Sequence, residues 1–172
     1  MALFPGWQAP DFTTDTTTGP IRFHEWGQGC WRIVLTHPGD YSPHSLRQAL
    51  RRIRSHMVDI YLLGLSPLPA PEATPGGVAL PGTTALAGLA QFATITDDPA
   101  PIRALWRGIA VDAGQDSDQM EEHAVFIVDP ANRIYSTITY PPATGRNFDE
   151  VLRVVPEPEP GCPTLKPARR AA

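Results

Sequence analysis

Apolar and polar positions alternate between two periods along this chain. Trp31-Arg32-Ile33-Val34-Leu35-Thr36 is a short run rich in apolar and β-branched residues, which predicts a buried strand. Leu46, Leu50, Ile53 and Met57 then recur at helical spacing, predicting a helix over about 44–57 that starts near Pro43. Ser42 is placed to cap that helix, and Pro43 suits its first turn, where no backbone N–H is needed. A second buried strand, 58–65, follows at once.

Before this β-α-β unit, 11–18 and 21–26 read as a β-hairpin with its turn at Gly19-Pro20. After it, eight Pro and Gly residues between Pro67 and Gly82 mark 66–84 as an irregular loop. Short helical pieces are expected at 85–91 and 102–109, with a short strand at 92–96 between them. Residues 112–122 form an acidic linker. Strands at 124–128 and 134–140 make an antiparallel hairpin around Asp129-Pro130-Ala131-Asn132-Arg133, and 148–155 closes as a helix. Two parallel strands around a helix, then an antiparallel pair and a helix, describe an α/β, thioredoxin-like mixed sheet flanked by helices. One domain over 1–155 is expected, with 156–172 a Pro-rich C-terminal tail.

Charge and composition narrow the partners. Eighteen acidic against fourteen basic side chains leave a net charge of −4, which argues against a dedicated nucleic-acid binder. No apolar run reaches transmembrane length, and the first eight residues lack the pattern of a secretory signal. Cys30 and Cys162 lie far apart with no C-x-x-C pair, which fits a reducing, cytoplasmic setting and excludes a thioredoxin-type dithiol. Cys30, between Gly29 and Trp31 at the start of a strand, reads as a small packing residue. Cys162 reads as an exposed thiol in the tail. Arg47, Arg51 and Arg54 share one face of the predicted helix and read as its solvated side. Trp26, Trp31, Trp106 and Tyr140 are expected in core or interface.

The loop from His37 to Arg47 joins strand to helix at a carboxyl end of the sheet, where ligands of open α/β folds collect beside helix N-termini. Three segments resemble the peroxiredoxins of the one-cysteine branch, the alkyl hydroperoxide reductase C and thiol-specific antioxidant type. They are Ala9-Pro10-Asp11-Phe12-Thr13 with Phe23-His24-Glu25-Trp26, the loop His37-Pro38-Gly39-Asp40-Tyr41-Ser42-Pro43, and 124–130 continuing to 140–150. The resemblance implies a thioredoxin-like fold, an antioxidant thiol peroxidase, and a homodimer or another protein partner, with no cofactor.

By the same resemblance, Pro38 and Ser42 hold their places in the catalytic loop, but Ser45 stands where the peroxide-attacking cysteine belongs. Gln48 replaces the acidic residue three positions on, and His123 replaces the arginine that steadies the thiolate. Arg146 keeps the second arginine, and His37 the histidine usual in this branch. Peroxidase chemistry needs a thiolate, which forms when a helix N-terminus and a cation lower a thiol pKa from about 8.5. The sulfur is then oxidised to a sulfenic acid. A serine hydroxyl has no such redox step. The expectation is therefore a degenerate peroxiredoxin kept for binding, assembly or regulation.

Enzymatic alternatives are a peroxidase using Cys30 or Cys162, or a metal or ligand site lined by His37, His44 and His123. One of these histidines can also serve as a base toward Ser42 or Ser45, although no G-x-S-x-G elbow is present. No ligand spacing in the sequence calls for a metal.

Overall fold

The computed structural model describes residues 4–55, 60–66, 92–96, 100–107, 123–141 and 145–156. Met57, most of the predicted 66–84 loop, the 85–91 helix, the acidic linker and Cys162 lie outside the described residues.

A small antiparallel pair, β1 (Thr13–Thr16) and β2 (Gly19–Arg22), precedes the main sheet. Its turn falls on Thr17-Thr18 rather than on Gly19-Pro20. Gly19, at φ +110, carries the left-handed backbone as the second strand begins, and Pro20 sits within that strand. The main sheet contains β3 (Trp31–Leu35), β4 (Ile60–Gly64), β5 (Phe92–Thr94), β6 (His123–Val128) and β7 (Ile134–Tyr140). Their spatial order is β5-β4-β3-β6-β7. β3, β4 and β5 run parallel, whereas β6 lies antiparallel to both β3 and β7. This is the predicted mixed, thioredoxin-like α/β architecture.

Helix α1 (Pro43–Ser55) links β3 to β4, α2 (Ala100–Arg107) follows β5, and α3 (Asp149–Leu152) closes the described fold. The last is shorter than the predicted 148–155 helix. Both faces of the sheet are covered, which is why its central strands read as nearly continuous apolar runs. On one face Ile33, Leu35, Leu62 and Val125 pack with Leu46, Ala49 and Leu50 of α1 and with Phe148 and Val151. On the other, Val34, Leu63, Phe126 and Val128 pack with Phe23 and Trp106. Trp106 is fully buried, edge-on to Phe12 and Phe23. Trp26 is partly buried against this same cluster.

Arg32 is a fully buried charged side chain. Its guanidinium donates to the Phe23 carbonyl at 3.0 Å, to the Asp129 carbonyl at 3.2 Å and to Asn132 Oδ1. Burial pulls its pKa down to about 10, still well above neutrality, so it stays charged. It ties the loop after β2 to the β6–β7 turn, where Asn132 adopts φ +64.

Candidate functional site

Ser42 caps α1 as its sequence position predicts. Its Oγ accepts the Ser45 N–H at 3.1 Å, and its carbonyl accepts the Leu46 N–H at 3.1 Å. Just upstream, Pro38–Asp40 forms one 3-10 turn with Pro38 at its start. Gly64 of β4 gives that proline its place, because a Cβ there would lie 2.8 Å from Pro38 Cγ.

Sheet register explains what gathers above this turn. Leu35 of β3 pairs with Val125 of β6, and Thr36 N–H continues the ladder to the Ala124 carbonyl at 3.0 Å. One further step sets His37 opposite His123, and the two imidazoles stack at 3.6 Å with an interplanar angle of 13°. β7 adds Tyr140 as the ladder partner of His123.

The 3-10 turn brings Asp40 to the same place. Its Oδ2 accepts from His123 Nδ1 and, at 3.1 Å, from the Tyr140 hydroxyl. Burial first, and Tyr41 beside it, push the Tyr140 pKa up, so this phenol remains a proton donor.

The tautomer of His37 follows from its neighbours. Thr36 Oγ1 gives its one proton to the Ala124 carbonyl at 3.0 Å and accepts the Ala124 N–H at 2.8 Å. In its 2.9 Å contact with His37 Nδ1 it is therefore the acceptor, and the ring Nδ1–H donates. In the neutral ring, Nε2 then carries the lone pair, and Arg103 Nη1 of α2 lies 3.4 Å from it.

Of the three histidines read from the sequence as one group, two meet here. His44 is exposed in the first turn of α1, and Asp40 completes the cluster in its place. Gln48 is also exposed on α1. Sequence reasoning missed Asp40, Thr36 and Arg103. A carboxylate in the strand-to-helix loop was the one available signal for Asp40; nothing local marks the other two.

Ser45 has a different environment. Its hydroxyl donates to the Ser42 carbonyl at 2.9 Å, with the Arg146 carbonyl at 3.3 Å, and accepts the Phe148 N–H at 3.1 Å. Ser42 N–H donates to the Arg146 carbonyl at 3.0 Å, and Arg146 N–H to the Asp40 carbonyl at 2.9 Å. The hydroxyl thus pins the start of α1 to the segment leading into α3. The Arg146 guanidinium lies 4.2 Å over the Tyr140 ring and reaches Glu150 at 3.2 Å.

Most of the chain matches clear relatives. It is 33% identical to peroxiredoxin-6 of Gallus gallus over 162 residues, covering 89% of this chain and 71% of that protein. The chain belongs to the peroxiredoxin family. Among solved structures, a cysteine-to-serine mutant of the peroxiredoxin 6 of Arenicola marina matches with a TM-score of 0.58 and 25% identity, over 89% of this chain and 72% of that one. Mycobacterium tuberculosis AhpC shares the fold at a TM-score of 0.58 and 21% identity, over 90% of this chain and 92% of that one. No family model matches the chain.

Cys30 of this peroxiredoxin is fully buried beside Trp31, at the opposite end of β3 from His37. At about 3.3 Å per residue the five-residue strand alone separates its two ends by roughly 13 Å. Among the described residues no helix is long and apolar enough to cross a membrane.

Proposed function

We propose that this peroxiredoxin does not act as a thiol peroxidase, and that its pocket serves binding, assembly or regulation. The observation that carries this reading is the engagement of Ser45. Its hydroxyl is committed to the Ser42 carbonyl and the Phe148 N–H, so it works as a structural tie between α1 and the 145–148 segment. A hydroxyl in that place stays protonated at neutral pH and has no two-electron oxidation step with which to reduce a peroxide. His123, where the resemblance expects an arginine, is spent on Asp40 and on the stack with His37.

The test is peroxide consumption by the purified protein with dithiothreitol or thioredoxin as reductant. Consumption at the solvent-thiol background supports the reading; a rate well above it overturns it. Replacing both Cys30 and Cys162 by Ser separates the remaining thiol route, since activity that survives the double change owes nothing to sulfur. The reading also takes 1–155 as one domain with a tail at 156–172, a cytoplasmic setting, and a homodimer that sedimentation velocity would register.

A further inference from the structure

The pocket holds a set of groups that loss of a thiol does not explain. One nitrogen from each of His37 and His123 and one carboxylate oxygen of Asp40 lie within 4.8 Å of one another. We infer that His37, Asp40 and His123 form a binding site for a divalent transition cation of the zinc, cobalt and ferrous class. The inference holds whether or not thiol peroxidase activity survives.

Two imidazoles and one carboxylate are the donor set that such borderline cations prefer over magnesium or calcium, which take oxygen ligands. The Asp40 and His123 side chains are only 12% and 11% exposed, so few waters compete for the ion. Thr36 already fixes the His37 ring by accepting its Nδ1 proton, which leaves Nε2 as the donor atom. Holding the remote ring proton on an oxygen is how metal-binding histidines are commonly oriented. Tyr140 does the same for the carboxylate, donating to Asp40 Oδ2 at 3.1 Å. Three protein ligands leave a further position for water.

Binding requires two adjustments. Ligands about 2.1 Å from one ion sit roughly 3–3.5 Å apart, so the 4.8 Å set must draw inward, and the parallel rings must tilt for their lone pairs to converge. The cation takes the place of the proton shared by His123 Nδ1 and Asp40, and that proton leaves to solvent. Arg103, 3.4 Å from His37 Nε2, opposes the ion and must swing aside. Removing the Arg103 charge should therefore strengthen binding, an outcome that damage to the fold would not produce.

The experiment is titration of the full chain with Co2+, read by its visible ligand-field absorption. One equivalent should bind the wild type. His123→Arg and Asp40→Asn should each weaken binding at least about tenfold. His44→Ala should leave it unchanged, and Arg103→Gln should tighten it several-fold. Circular dichroism checks the fold of each variant, and His123→Arg installs the side chain expected at that place from the family resemblance. The inference is overturned if the wild type shows no ligand-field band, or if His123→Arg and Asp40→Asn bind as the wild type does. It is equally overturned if Arg103→Gln binds more weakly, if His44→Ala abolishes binding, or if a sulfur-to-cobalt charge-transfer band places the ion on a cysteine.

Discussion

Replacing Ser45 by Ala asks whether this position is a structural tie. The residue is 8% exposed, and its Oγ is the acceptor for the buried Phe148 N–H at 3.1 Å. Alanine leaves that N–H without its partner, at a cost of about 1–3 kcal/mol. The other lost bond matters less, because the Ser42 carbonyl keeps the Leu46 N–H at 3.1 Å. Alanine also favours the helix by a few tenths of a kcal/mol, which offsets part of the loss. The net expectation is a destabilisation of about 1–2 kcal/mol. For a chain of this size that lowers Tm by roughly 2–8 °C. Urea denaturation followed by far-UV circular dichroism, with thermal melts as a second probe, gives both quantities. Peroxide turnover should stay at background in both proteins. A loss below about 0.5 kcal/mol, the range of an ordinary surface change, would refute the tie.

Ser42→Ala removes the cap of α1 and should cost about 1 kcal/mol in the same assay. Gly64→Ala should destabilise by about 1–3 kcal/mol, since its Cβ meets Pro38 Cγ at 2.8 Å and Thr94 Cγ2 at 3.0 Å; an unchanged midpoint would show that the 3-10 turn yields freely. Trp106→Ala, emptying a fully buried site against Phe12, Phe23 and Phe126, should cost about 3–5 kcal/mol by chemical denaturation. Ser45→Cys alone should recover little peroxide consumption, because His123 remains bound to Asp40 and Gln48 remains exposed. Turnover at ordinary peroxiredoxin rates from that single change would show that a sulfur at this place is sufficient.

Much of the fold is legible locally. The start of α1 at Pro43 follows from a capping serine, a proline tolerant of the first turn and apolar residues at helical spacing. β7 matches its predicted bounds, because β-branched and aromatic residues there are flanked by turn-forming ones. The first hairpin is different. Gly19-Pro20 reads as a turn, yet the Thr16 hydroxyl accepts the Thr18 N–H at 3.2 Å and donates to the Gly19 carbonyl at 2.7 Å. Side-chain bonding of this kind moves the turn onto two threonines, where residue propensity alone does not put it.

Sequence by itself determined the order of the elements, the strand-to-helix loop at 37–43 and the presence of a serine at position 45. Periodicity and capping act between near neighbours, so the chain states them directly. The tertiary structure decided what those residues face. His37 meets His123 because antiparallel pairing of β3 with β6 sets one opposite the other across more than eighty residues. His44 is left outside because the helix points it to solvent, while one 3-10 turn carries Asp40 inward. Ser45 becomes a tie because the 145–148 backbone runs beside the start of α1 and brings it the Phe148 N–H. Register and packing are long-range, and a contact 103 residues apart leaves no mark in either neighbourhood of the sequence.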